Sequence, residues 1–338
     1  MTGSDLSEDA RREIFERKIV PLYFAPGSAD DEPVLVLLAA QLGAGRARAA
    51  AALVAESGGT LSALHGDDLR AFHPGAVELM RSGSQEAAAG LDRATASWVS
   101  AGIRYAREHR RSLLLDGTFP DPALVAATAE RFADAGFRTR VVVVGSRRAE
   151  SLLTVTSRYL RDVQAGVPAR FTSREAHDSG FDATRVLVAA LETTPFTDRL
   201  TVLDRGGRAV FDGQRSDGEN AFTGARDALL AAQSTRMGRR DATQWLSELH
   251  HVTEFAASRR DLPVGVTEAL VDLHETALRE VIPELHVPAN GKFATLIEQR
   301  TVARLVALRR DVQREHEQPD VAAPILVPRG PDRDGPTR

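Results

Sequence analysis

Cysteine is absent from this chain of 338 residues, which excludes disulfides, thiolate zinc sites and cysteine nucleophiles and fits a reducing cytoplasm. Aromatic residues make up only 5% and lysines are few, so positive charge is carried almost wholly by arginine. Neither sign of charge is in surplus: 43 Lys and Arg face 47 Asp and Glu, a net charge of −4. Such a balance gives no global pull toward nucleic acid or a membrane surface. No apolar run approaches the ~20 residues that a membrane span requires. Met1 to Ala10 is too polar and acidic to read as a signal peptide. These absences predict a cytoplasmic protein with no membrane and no nucleic-acid partner. His65, His73 and His177 lack metal-ligand spacing, so no protein metal centre is expected. A G-x-S-x-G elbow is missing as well, which removes the usual α/β-hydrolase reading.

What is present is an alternation of strand and helix patterns. Residues 9–20 read as an amphipathic helix ended by Pro21 and Pro26-Gly27-Ser28. Strand patterns follow at 34–40, 60–64, 112–115 and 139–144, the last richest in β-branched residues. Helical patterns at about 45–56, 84–110, 121–135, 149–163 and 174–192 lie between and after them. Two further strands, 200–204 and 208–212, face each other across Arg205-Gly206-Gly207, a hairpin turn. Alternation of this kind implies parallel crossovers and a sheet covered by helices. From about Ser216 only helical patterns remain, at 225–236, 242–257, 266–281 and 294–314. The expected organisation is an α/β unit over 1–215, a helical C-terminal region over 216–318 and a disordered tail over 319–338, rich in Pro, Asp, Gly and Arg.

In open α/β sheets, ligands gather beyond the carboxyl ends of the strands. The first strand runs there into Gly43-Ala44-Gly45-Arg46-Ala47 and then into Ala-rich helical sequence. A strand, a glycine turn and a helix N-terminus form a phosphate-binding arrangement. Against G-x-x-x-x-G-K-[ST], Gly45 matches, while Ala40, Arg46 and Ala47 replace the first glycine, the lysine and the hydroxyl residue. Asp67 follows the second strand, as a base for a substrate hydroxyl, a magnesium ligand or a helix N-cap. Asp67 and Asp68 could take one role each. Asp116 ends the third strand, as a functional acid or a turn-former before Gly117. Arg158, with Arg161 one turn on, and Arg170 suit neutralisation of a transferring phosphoryl group, or are solvated surface charges.

These blocks, in this order, resemble the zeta-toxin family of P-loop kinases. The resemblance rests on Gly43 to Arg46, on Asp67-Asp68-Leu69-Arg70 with His73-Pro74, and on Leu115-Asp116-Gly117-Thr118. Arg158-Tyr159, Pro168-Ala169-Arg170 and Ala176-His177-Asp178 continue it, over roughly residues 6–212. It implies a P-loop NTPase-like parallel sheet and an ATP- and Mg2+-dependent phosphorylation of a UDP-sugar, UDP-N-acetylglucosamine, at a hydroxyl. It also implies an antitoxin protein as partner. By the same resemblance Gly43, Ala44, Gly45, Arg46 and Ala47 would hold ATP, and Asp67 would be the base. Asp116 and Thr118 would line the sugar-nucleotide cleft, and Arg158 and Arg170 would stabilise phosphoryl charge. Three departures stand out. Arg46 puts a planar guanidinium in place of a compact ammonium, Ala47 removes a hydroxyl, and Asp116 is one methylene shorter than the family's glutamate. The two loop changes would cost on the order of a hundred- to several-thousand-fold in rate, at about 1.5–3 kcal/mol per charged hydrogen bond. The competing reading is therefore a catalytically degenerate kinase fold kept as a nucleotide- or protein-binding module; a third is a kinase for another small hydroxylated molecule.

Overall fold

A computed structural model describes residues 5–24, 29–82, 84–218, 220–259, 261–286 and 291–317. The tail expected to be disordered (319–338), the Pro26-Gly27-Ser28 stop and Pro288 lie outside the described residues. Six strands form one sheet in the order β2-β3-β1-β4-β5-β6. They are β1 (Val34–Ala40), β2 (Ser62–Leu64), β3 (Leu113–Gly117), β4 (Arg138–Val144), β5 (Arg199–Leu203) and β6 (Ala209–Gln214). All neighbours are parallel except β5 and β6, the antiparallel hairpin at the edge. The expected α/β fold, a P-loop NTPase-like sheet flanked by helices, is the one observed.

Both faces of the central strands are dry, as a parallel sheet demands. Leu35, Leu37 and Ala39 of β1 point into one core with Leu113, Leu115, Val141 and Val143. That core is closed by the N-terminal helix α1 (Glu8–Ile14), by α3 (Gln85–Glu108), α4 (Pro122–Ala133), α6 (Arg174–Thr193) and α7 (Ala225–Ser234). On the other face Val36, Leu38 and Ala40 meet Ala49, Ala50 and Leu53 of α2 (Arg46–Glu56). A separate apolar cluster joins α5 (Arg148–Gln164) to α8 (Arg239–Ala257), α9 (Val264–Thr276) and α10 (Lys292–Glu317).

Element ends differ from the sequence pattern for local reasons. The first helix does not stop at Pro21 but passes through a π turn (Phe15–Ile19) into Val20–Tyr23. Proline is tolerated there because it enters at the start of a new turn, where its missing N–H is no loss. Asp121 caps α4 through its side chain, accepting from the Ala123 N–H at 2.9 Å, so the helix begins at Pro122. The second strand ends at Leu64, and a short helix (Gly66–Leu69) with His65 as its N-cap follows. Asp67 thus sits in the first turn of that helix, not at the cap. A helix at Ala76–Ser82 falls in a stretch with no clear apolar period.

Candidate active site

Parallel strands bring their carboxyl ends to one rim, and the β1–β3 register sets Leu38 beside Asp116 and Ala39 beside Gly117. Beyond that rim β1 turns through Gly43 (φ +81°) and Gly45 (φ +98°) into α2. Both values fall where a Cβ is strained, so glycine is what lets the chain reverse there. At Gly43 the space is also taken: a Cβ would lie 2.2 Å from the Ser151 carbonyl oxygen of α5. Ala40 ends β1 opposite Val144, fully buried, so it belongs to the strand rather than to the glycine turn. The Arg48 and Ala49 N–H groups of α2 bond the Gly45 carbonyl at 3.1 and 3.2 Å, which leaves the Arg46 and Ala47 N–H groups ahead of them at the positive end of the helix dipole without an intrahelical partner.

Three further groups brace this loop, and none was singled out from the sequence. Arg205, at the β5–β6 turn, donates from Nη1 to the Gly43 carbonyl (3.0 Å) and to Ser146 Oγ (3.1 Å), and from Nη2 to Thr154 Oγ1 (3.0 Å). The Glu150 carboxylate stands 3.5 Å from its Nε. Burial raises the pKa of Glu150, against the pull of Arg205 and Arg147. Gln41 is buried and donates from Nε2 to the Ser146 carbonyl at 2.8 Å. Its Oε1 has no partner among the described residues. These contacts join residues 51 to 162 positions apart, which a local pattern cannot reveal.

The loop cation does not stand free. Arg46 Nε lies 2.6 Å from Asp116 Oδ2, while His65 Nδ1–H donates to Asp116 Oδ1 at 2.8 Å. The Asp116 side chain is only 6% exposed, so a near-dry carboxylate is shared by a guanidinium and an imidazole. The hydrogen bond to Asp116 raises the pKa of His65, outweighing burial, and Asp68 adds to the rise. His65 is the third member of the cluster that the sequence did not disclose.

Asp67 is exposed at the same rim, 4.0 Å from Arg70 Nε. Arg70 also pairs with Asp92, whose other oxygen is 4.0 Å from Arg170. Asp67 and Arg170 therefore share one chain of charges. Thr118 packs against α6: a Cβ on Gly180 would fall 3.2 Å from Thr118 Cγ2 and 3.9 Å from Gln41 Cα. Arg158 is exposed and carries no ion pair among the described residues. It lies three residues beyond Val155, whose Cγ1 abuts Gly43, hence less than one turn along α5. A cavity of about 310 Å3 opens beside Asp116 and Gly66, floored by Leu37, Leu64 and Leu115 and walled by Val99, Ile103 and Phe119.

Behind the loop runs a second polar chain. The Ser151 hydroxyl meets His177 Nε2 (2.9 Å), and His177 Nδ1–H donates to Asp178 (3.0 Å). Asp178 is paired with Arg148, which reaches Asp272 of α9 at 2.6 Å. Burial holds the pKa of His177 below its ordinary value, despite Asp178. Both Ser151 and His177 are fully buried, so the group is structural and not a nucleophile.

A family model described as Zeta toxin matches residues 25–216, more than half the chain. The chain belongs to the zeta toxin family. A curated relative, Toxin PezT of Streptococcus pneumoniae serotype 4, is 24% identical over 200 residues, which is 59% of this chain and 77% of PezT. A solved chain of the PezAT chromosomal toxin-antitoxin system of the same species matches with a TM-score of 0.63. It is 17% identical and covers 75% of this chain and all of that one, a likeness of fold. Helices α8 to α10 of this zeta toxin lie beyond the matched family region. Among the described residues no helix is long and apolar enough to cross a membrane, and no group of three or more His, Asp or Glu side chains is placed to hold a metal ion.

Proposed function

We propose that this zeta toxin is an ATP-dependent phosphotransferase whose acceptor is a hydroxyl of a UDP-sugar, UDP-N-acetylglucosamine in the first instance. The observation that carries the reading is the meeting, at one sheet rim, of a left-handed glycine loop, its arginine and the acid ending β3. The loop N–H groups and Arg46 would cradle the triphosphate. The acceptor would enter the 310 Å3 cavity lined by Asp116, and Thr118, two residues further along the chain, would meet it from beside α6. Asp67 accepts the proton of the attacking hydroxyl as its oxygen bonds to the γ-phosphorus and the bond to the ADP oxygen breaks. Arg158 and Arg170 bring positive charge to the transferring group.

Magnesium fits through carboxylates rather than through the loop. Ala47 has no oxygen to offer, and both oxygens of Asp116 are engaged by Arg46 and His65. Asp68, exposed next to Asp67 in the short helix that follows β2, is the acid that would hold the ion together with the nucleotide phosphates. The ion would supply neutralisation of phosphate charge. The PezAT relative is a toxin-antitoxin system, and this supports an antitoxin protein as partner here as well. A reducing, cytoplasmic setting suits a chain without cysteine.

Transfer of labelled γ-phosphate from ATP to UDP-N-acetylglucosamine tests the reading. Asp67→Asn should lower kcat by about 10²–10⁴-fold, the usual worth of a positioned base, with little change in the KM for ATP. Transfer unaffected by that substitution would remove Asp67 as base. Clear ATP binding by calorimetry without transfer to any UDP-sugar would replace the acceptor.

A further inference from the structure

Resting on the phosphotransferase reading, we propose that the C-terminal helices belong to the catalytic apparatus: α8 and α9 hold the arginine-bearing segment 157–171 in position, with Glu248 and Gly265 as positioning residues. The segment carries three exposed arginines, of which Arg161 is tied to Glu248 while Arg158 and Arg170 are the two assigned to the phosphoryl group, and the residues beside these two are anchored to helices outside the matched family region.

Consider first the residues around Arg158. Ser157 donates its hydroxyl to Glu248 of α8, and Arg161 reaches the same carboxylate oxygen. Tyr159 is buried against Phe171, ring centroids 5.3 Å apart in an edge-on arrangement. More than two turns earlier on α5, Trp245 Nε1–H donates to the Ala149 carbonyl at 3.0 Å. Arg158 is thus flanked on both sides by fixed residues, while its own guanidinium stays in solvent. Arg170 repeats the pattern. Ala169 and Phe171 pack into the cluster formed with α8 and α9. The Phe171 ring lies so close to Gly265 that a Cβ there would stand 2.9 Å from its Cε1. At the base of α5, Arg148 pairs with Asp272 at 2.6 Å and Arg147 with the buried Glu284 at 2.7 Å.

The physical consequence concerns order. An arginine that must meet charge developing on a phosphoryl group works best when its backbone is already held. A long loop and half-exposed helix would otherwise lose that freedom during the reaction. Here the neighbours on each side are tied down and only two flexible side chains remain to move.

The test uses the full chain with Glu248→Ala, Glu248→Gln and Gly265→Ala. Hydrogen exchange over 157–171 is read with and without ATP, alongside kcat and KM. Glu248→Ala and Gly265→Ala should raise exchange in that segment, leave exchange over 34–56 unchanged and lower kcat by on the order of ten- to a hundredfold. The KM for ATP should stay within about a factor of two, since the loop that would cradle the phosphates is untouched. Glu248→Gln keeps an acceptor oxygen and should recover most of the loss. Unchanged exchange in both altered chains overturns the proposal, as does raised exchange with unchanged kcat. If the unaltered chain transfers no phosphate to a UDP-sugar, the acceptor reading fails on its own. Protection of 157–171 by ATP, present in the unaltered chain and lost in Glu248→Ala, then decides the positioning role.

Discussion

Gly43→Ala is the substitution in which the backbone, the packing and the candidate site are felt together. Gly43 has φ +81°, and a Cβ there would lie 2.2 Å from the Ser151 carbonyl oxygen and 3.0 Å from Val155 Cγ1. Holding alanine in the left-handed region costs about 1–2 kcal/mol. Relief of the contact needs a retreat of about 1 Å by a helix backbone, and overpacking of a fitted site adds about 1–3 kcal/mol. The sum is about 2–5 kcal/mol. Gly58 supplies the control: its φ is +65° and nothing lies within 4 Å of its added Cβ, so Gly58→Ala should show the backbone term alone. Urea unfolding of the two variants reads the difference, which isolates the contact between the loop and α5. ATP affinity by calorimetry should fall at least about tenfold for Gly43→Ala, because the loop N–H groups move with it, and stay unchanged for Gly58→Ala. Equal destabilisation by the two substitutions, with equal ATP affinity, would refute the claim that α5 shapes the glycine loop.

Two histidines should give opposite pH signatures. The pKa of His65 is raised above its ordinary 6.5 by the Asp116 hydrogen bond, so its stabilisation is complete below about pH 6.5 and fades as pH climbs through the raised value. The pKa of His177 is lowered from 6.5 by burial, so its contribution is present above about pH 6.5 and is lost as pH falls through the lowered value. Urea unfolding of His65→Asn and His177→Asn across pH 5–8, against the parent chain, should therefore differ most at the acid end for the first and at the neutral end for the second. Arg205→Ala removes hydrogen bonds to the Gly43 carbonyl, Ser146 and Thr154; ATP binding measured by calorimetry should weaken about tenfold, the low end for charged hydrogen bonds on a half-exposed arginine. Arg46→Lys and Asp116→Glu should each weaken ATP affinity, while the double variant should regain part of the loss, a coupling of about 0.5–3 kcal/mol in a double-mutant cycle.

Strands were legible because they are apolar runs of the right length, and β4 especially because Thr139 to Val144 combines β-branching with flanking Gly136 and Gly145. Once the strands were read as parallel, the rim shared by Gly45 and Asp116 followed from topology rather than from any distance in the sequence. What escaped has a common physical character. His65, Arg205 and Gln41 act through hydrogen bonds that span 51 to 162 positions, and polar side chains carry no periodic signal. Pro21 misled because its meaning depends on whether it opens a turn or interrupts one. The C-terminal helices were visible as amphipathic patterns, but not the surface they cover. The apolar face of α5 seeks α8 and α9 instead of the sheet, which periodicity alone cannot tell apart.

The departures at 46 and 116 look like two separate losses when each is set against the family pattern, yet in space they are one interaction. A guanidinium has a longer reach than an ammonium, and aspartate is one methylene shorter than glutamate. Arg46 spans to Asp116 with its Nε at 2.6 Å, and His65 holds the other oxygen, so the carboxylate is fixed from both sides. The side-chain exposures of 26% and 6% place the pair in a partly dry setting where an unmatched charge would be costly. A loop decaying without constraint would have no reason to keep a cation facing an acid across the β1–β3 rim. The pairing instead commits Nε to Asp116, and under the proposed function the terminal nitrogens of the fork would be the ones to meet phosphate oxygens. Under the same proposal Ala47, a methyl group with no oxygen to offer a cation, is the loop change for which the Arg46–Asp116 pairing offers no compensation.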